Sequence, residues 1–155
     1  MGEKNEPPVG AVVTATTQIA VVEVAGVAYA LPMALVRQIA PYRTPRPVPG
    51  SPNHVEGVLN LGGRMVAVVS LRSLLGVGAS WTLSDARIVV VAAGPLSAGL
   101  VVDEVSEILI VDTARCALRE TPDASGPIGG IARIEGHELQ LLDVPRILGE
   151  RSPAA

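Results

Sequence analysis

Gly57-Val58-Leu59-Asn60-Leu61-Gly62-Gly63-Arg64-Met65-Val66-Ala67-Val68-Val69-Ser70-Leu71-Arg72-Ser73-Leu74-Leu75-Gly76 carries most of the fold in one stretch. Two β-branched and leucine-rich runs, Val58–Leu61 and Met65–Val69, flank Gly62-Gly63, a two-residue hairpin signal. Leu71–Leu75 then reads as a short helix that Gly76 closes, since glycine accepts the left-handed C-cap conformation without penalty. The same order returns 73 positions later. Gly57 meets Gly130, Gly63 meets Gly136, Leu75 meets Leu148 and Gly76 meets Gly149, without a gap. There Ile131–Ile134 and Glu138–Leu142 flank Glu135-Gly136-His137, and Val144–Leu148 forms the closing helix before Gly149, with Pro145 in its first turn. A weaker match at an offset of 69 pairs Met33, Val36 and Ile39 with Val102, Val105 and Ile108. The chain thus reads as two similar halves.

Between the repeated segments lie further short strands. Ile19–Val24 and Val27–Leu31 join through Ala25-Gly26, and Ile88–Ala93 and Ala98–Val102 join through Gly94-Pro95. Ser106–Val111 adds another strand, and Pro32–Arg37 reads as a helical turn. Pro41–Pro52 holds five prolines and reads as a connecting loop. Residues 1–17 read as a mobile tail and 151–155 as a loose end. The expected fold is mainly β, with two small five-stranded SH3-like barrels around a shared core and a few short helices. The single domain spans 18–150, in lobes of roughly 18–86 and 87–150, with exchange of the first strands between lobes allowed. Closing each sheet removes edges that would otherwise aggregate.

Composition narrows the function. The chain has 155 residues, 48% of them apolar and 17% charged, which suffices for a real core. Its twelve Lys and Arg are scattered and its net charge is −3, which argues against a nucleic-acid surface and against membrane docking. With no Phe, one Trp and two Tyr, it offers poor material for base stacking. No apolar run approaches a membrane span and no signal peptide opens the chain, so a cytoplasmic protein is expected.

Catalysis needs converging polar groups, and the sequence offers few. His54 and His137 are the only histidines, both in turns and without a helical metal-site partner. Cys116 lies beside Arg115 with no histidine near, which suits a small apolar residue better than a nucleophile. Asp103, Glu104, Glu107 and Asp112 form an acidic stretch. Asp103 and Glu107 share strand parity and could pair as carboxylates, but turn and edge charges explain the stretch. Trp81 reads as a cap over a barrel end or, more sharply, as an interface anchor. The glycines form no phosphate cradle. No catalytic, cofactor or metal site is expected, and the function is expected to lie in the surface.

The motifs together resemble the CheW-like domain family over about residues 18–149. Gly57–Gly63 with Met65–Arg72 resembles the family's central G-V-x-N-L-R-G, apolar strand, often Asp, Leu-Arg. Ala98-Gly99-Leu100-Val101-Val102-Asp103-Glu104-Val105 resembles G-x-x-V-D-x-V. Gly130-Ile131, Gly136 and Leu141-Leu142-Asp143 match the closing G-I…G…L-L-D. Tyr29-Ala30-Leu31-Pro32 and Val36-Arg37-Gln38-Ile39 match the opening Y-x-(I/L)-x…V-x-E-I. The resemblance implies a non-enzymatic adaptor, bridging the cytoplasmic tip of a methyl-accepting chemoreceptor to the regulatory domain of a CheA-type histidine kinase, with rings of CheW-like proteins as a further assembly. A receptor helix would lie in an apolar groove between the barrels, lined or shaped by Val36, Gln38, Gly57, Asn60 and Gly62. Three positions depart from the pattern: Gly62 replaces the family's Arg, with Arg64 as a compensating donor; Gln38 replaces Glu; Ser70 replaces Asp. A relative that binds only receptor or only kinase is the alternative, and a β-barrel ligand carrier or enzyme a third.

Overall fold

The computed structural model describes residues 16–77, 86–112, 117–120, 127–134 and 137–150. Residues 1–15 of the expected N-terminal tail, the expected loose end at 151–155, Trp81 and Cys116 lie outside them, whereas Thr16 and Thr17, also expected in the tail, pair with Asp112 and Val111 as the start of a strand. Eleven strands are described: β1 (Thr16–Val24), β2 (Val27–Pro32), β3 (Val36–Pro41), β4 (Val55–Leu61), β5 (Arg64–Ser70), β6 (Arg87–Ala93), β7 (Leu96–Val102), β8 (Glu104–Asp112), β9 (Ala117–Glu120), β10 (Ile128–Ile134) and β11 (His137–Leu142). A single helical turn, Met33–Leu35, links β2 to β3, so Val36 and Arg37 belong to a strand where a helical turn was expected. Helix α1 covers Leu71–Leu75, and a π-helical segment covers Arg146–Glu150. The latter runs through Gly149, which was expected to end it.

Two sheets result. One has five strands in the order β3-β6-β7-β5-β4, and the other has six in the order β9-β10-β11-β2-β1-β8. The two halves of the chain are therefore interleaved. Each sheet takes its leading hairpin from the other half: β1-β2 joins the C-terminal strands, and β6-β7 joins the N-terminal ones. The pairing registers obey the sequence repeat. The parallel contact Val68↔Gly99 in one sheet corresponds to Leu141↔Ala30 in the other. Ile39↔Val89 corresponds to Ile108↔Ala20, and bulges fall at the matched positions Val55/Gly57 and Ile128/Gly130. The sixth strand, β9, is the enlarged counterpart of a single bridge: Arg119↔Ile131 there matches Arg46↔Val58 here.

The exchange explains the apolar runs. In β1, Ala20, Val22 and Val24 enter a core shared by both lobes, while Ile19 and Val21 line the interior of the second lobe. In β6, Val89 and Val91 enter the shared core, while Ile88 and Val90 line the first lobe. Strands buried on both faces need apolar residues at every position rather than alternation. Leu71 of α1 and Ile147 of the π-helical segment plug the shared core from its margins.

Caps and one ion pair fix the junctions. Ser70 Oγ accepts the Ser73 N–H at 3.3 Å and caps α1. Asp143, its repeat counterpart, accepts the Arg146 N–H at 3.0 Å. Ser70 thus preserves the capping chemistry of the acid expected there. Arg72 on α1 grips Asp103 through two bonds, Nε to Oδ1 at 3.1 Å and Nη2 to Oδ2 at 2.6 Å. Asp103 Oδ2 also accepts the Ala25 N–H at 2.9 Å. Ala25 has φ +55°, a left-handed conformation costly for a residue with a Cβ, and its repeat counterpart is Gly94 at φ +60°. Asp103 therefore ties α1 of one lobe to the exchanged hairpin of the other. Removing it leaves a largely buried guanidinium short of an acceptor. Asp103→Ala is expected to lower unfolding free energy by about 2 kcal/mol in urea titration; a change below about 0.5 kcal/mol would show that the clamp is dispensable.

Candidate interaction surface

The first lobe is closed by the proline-rich segment after β3. Tyr42 donates its backbone N–H to the Ala86 carbonyl at 3.1 Å. Its hydroxyl donates to Glu56 Oε1 at 2.8 Å. Arg46 and Val58 exchange backbone hydrogen bonds of 2.9 Å in both directions, so the segment lies along the outer edge of β4. Thr44, Pro45, Arg46 and Pro47 on one side, and Val58, Leu59, Asn60 and Met65 on the other, border a surface groove of about 630 Å³. Met65 is 63% exposed there, a large apolar side chain left to solvent.

Backbone demands explain the glycines beside it. A Cβ on Gly57 would sit 2.1 Å from the Arg46 carbonyl oxygen, and its φ of +150° disfavours any other residue. Gly62 and Gly63 have φ of +62° and +88°, as a two-residue hairpin turn requires. Asn60 accepts the Gly63 N–H on Oδ1 at 2.8 Å and pins that turn. Its carbonyl accepts from Arg43 Nη2 at 2.8 Å. Gly62 thus stands where a left-handed backbone is needed, and a Cβ there would meet nothing within 4 Å.

The expected site residues fall into two groups. Gly57, Asn60 and Gly62 gather at the groove and its end, with Arg64 exposed on the strand that leaves the turn. Val36 and Gln38 stand on β3, at the opposite end of the same sheet's strand order. Val36 is half-buried and packs against the shared core, whereas Gln38 is exposed. The acidic stretch divides as well: Asp103 is clamped by Arg72, while Glu104 and Glu107 are exposed on edge strand β8. His54 is half-buried in the turn before β4. Among the described residues no three His, Cys, Asp or Glu side chains gather as metal ligands, and no helix is long and apolar enough to cross a membrane.

Charge is sorted by lobe among the described side chains, more sharply than by half of the chain. Among the described side chains, the first lobe carries Arg37, Arg43, Arg46, Arg64, Arg72 and Arg87 against Glu56 alone. The second carries Glu23, Asp103, Glu104, Glu107, Asp112, Glu138 and Asp143 against Arg133 and Arg146. Among these described side chains the net charges are near +5 and −5, which gives the two lobes opposite potential.

Residues 18–152 match the CheW-like domain. The chemotaxis protein CheW of Bacillus subtilis (strain 168) is 27% identical over 132 residues, which is 82% of this chain and 83% of that protein. The CheW of Thermotoga maritima is 32% identical over 106 residues, 67% of this chain and 69% of that one. Among solved structures, the scaffolding protein TtCheW from Thermoanaerobacter tengcongensis superposes with a TM-score of 0.75 at 25% identity, covering 83% of this chain and 90% of that chain.

Two measurements check the geometry. Gly57→Ala is expected to cost about 2–3 kcal/mol in chemical denaturation, because backbone must move to admit the methyl group; a neutral outcome contradicts the close approach. The Tyr42 phenol is pushed up to about 12 by burial, by its hydrogen bond to Glu56 and by that carboxylate's charge. The folded state holds this proton where the unfolded chain releases it. Its contribution is therefore complete below pH 10 and fades between about 10 and 12. In a Tyr29→Phe background, phenolate absorbance should titrate near 12 and move down on Glu56→Gln; an ordinary midpoint near 10 in the parent would remove the Tyr42–Glu56 contact.

Proposed function

This chain belongs to the CheW-like domain family, and we propose from that premise that it is a non-enzymatic scaffold of a chemotaxis-type signalling array. It bridges the cytoplasmic tip of a methyl-accepting chemoreceptor to the regulatory domain of a CheA-type histidine kinase, and it reaches the membrane only through protein contacts. One observation carries the bridging reading: a single small domain presents two lobes of opposite charge, so two chemically different partners can be held at once. The absence of catalytic parts in the sequence supports a role exercised by surface alone.

On the receptor side, the reading assigns the groove beside β4 and the Asn60–Gly63 turn, with Val36 and Gln38 contributing from β3. An amphipathic helix would set an apolar residue against Met65, Leu59 and Pro47, and place acids near Arg43, Arg46 and Arg64. Arg64 would then provide the long donor that Gly62 cannot, because the turn holds Gly62 in a conformation that suits glycine. Val36 packs into the shared core, so a polar change there tests the fold along with binding. Arg64 and Met65 are exposed and give cleaner tests.

Pull-down of the purified chain with a receptor cytoplasmic fragment, and separately with a kinase regulatory domain, should capture both. Capture of one alone favours the reading, motivated by Gly62, of a relative that engages a single partner. Capture of neither refutes the adaptor. Arg64→Glu with Met65→Asp should weaken receptor binding at least about tenfold while shifting Tm by less than about 2 °C. Affinity should also fall as salt is raised from 50 to 300 mM, since exposed charges are screened. Unchanged affinity in the double variant would remove this groove from the contact.

A further inference from the structure

The two lobes are built alike but filled differently. In the first lobe, Tyr42 and Leu59 pack against the interior made by Ile88, Leu61, Val66 and Val68. The registers place Val111 opposite Thr17 in the second lobe, where Tyr42 bonds to Ala86 in the first. They likewise place Ala132 opposite Leu139, where Leu59 faces Val66. Valine stands for tyrosine and alanine for leucine at two neighbouring positions. Of the other interior positions, Ile19 for Ile88, Ile134 for Leu61 and Leu141 for Val68 change little, while Leu109 for Ala40 and Leu139 for Val66 restore part of the volume elsewhere in the lobe.

The second lobe accordingly holds a partly open cavity of about 290 Å³, bordered by Val111, Ala132, Ile19, Ile134 and Leu141, with Thr17 the one polar side chain among the described lining residues. We propose that this cavity is a binding site for a small uncharged apolar molecule, of the size of one aromatic ring with a short alkyl branch. The twin lobe supplies the argument for size and class, since a phenol ring and an isobutyl group fill the matching space there. The lining supplies the argument for charge: among the described residues no ionisable group borders the cavity, so a charged ligand would lose its hydration without a partner. Dry apolar cavities of about this scale in other proteins take up such ligands. The site lies in the acidic lobe, away from the groove beside β4, and the inference rests on the fold alone and not on the adaptor reading.

Ethylbenzene titrated into the full-length chain tests it. Tm should rise with ligand concentration, because a ligand bound only by the folded state stabilises it by mass action. Amide shifts in ¹H–¹⁵N spectra should gather at Val111, Ala132 and Leu141 and spare Leu59 and Leu61. Benzoate, similar in size but charged, should produce neither effect. Ala132→Leu, or Ala132→Val if the former does not fold, should abolish the ethylbenzene shifts. No shift up to the solubility limit would overturn the proposal. So would shifts centred on the first lobe, or a response that survives in a folded cavity-filled variant.

Discussion

Double burial of the exchanged hairpins is the constraint on which the rest depends. Val22, Val24, Leu31, Val89, Val91, Leu100 and Val102 lie at or near zero exposure in the core shared by both lobes. Their strand neighbours Ile19, Val21, Ile88, Val90 and Val101 line one lobe or the other. Neither lobe can be lifted from the other without exposing both faces of two strands. Each fully buried side chain of this kind contributes on the order of 2 kcal/mol. The lobes are thus one cooperative unit, although the sequence repeats as two.

The parts legible in the sequence were those set by local chemistry. Gly62-Gly63, Gly94-Pro95 and Ala25-Gly26 announce hairpins because tight turns need their backbone freedom. Gly57 and Asn60 stand out because a close backbone approach and a turn acceptor demand them. What stayed hidden depends on tertiary context. β3 carries half-buried and exposed residues with a bulge between Val36 and Gln38, so its pattern is blurred beside the single helical turn before it. β9 is a four-residue strand whose pairing with β10 is its only described support. Which sheet each leading hairpin joins was left open because hairpin exchange leaves no mark on local periodicity: β1 reads the same whichever sheet receives it.

Exchange also sharpens the charge separation among the described side chains. Glu23 sits in the first half of the chain but joins the acidic lobe, and Arg87 sits in the second half but joins the basic one. Read linearly, the two halves already differ in sign among the described side chains; sorting by sheet widens the difference. The ion pair Arg72–Asp103 crosses the division. It is partly shielded from solvent and bidentate, the geometry in which such a pair has most value. Exposed pairs such as Arg133–Glu138, at 3.4 Å, hold far less.

The same architecture explains how one lobe can be filled less tightly than its twin. Replacing a buried tyrosine by valine and a leucine by alanine typically costs a few kcal/mol each when the void stays empty. An isolated small barrel would struggle to absorb that loss, since so small a domain has little stability in reserve. Here the strands that wall the cavity are held from behind. Ile19 and Val21 face it or its neighbourhood, but Ala20, Val22 and Val24 on the same strand are locked in the shared core. Anchorage on one face frees the other from having to pack to completion. Duplication with hairpin exchange therefore does more than build two sheets. It lets one interior diverge toward binding while the scaffold stays intact.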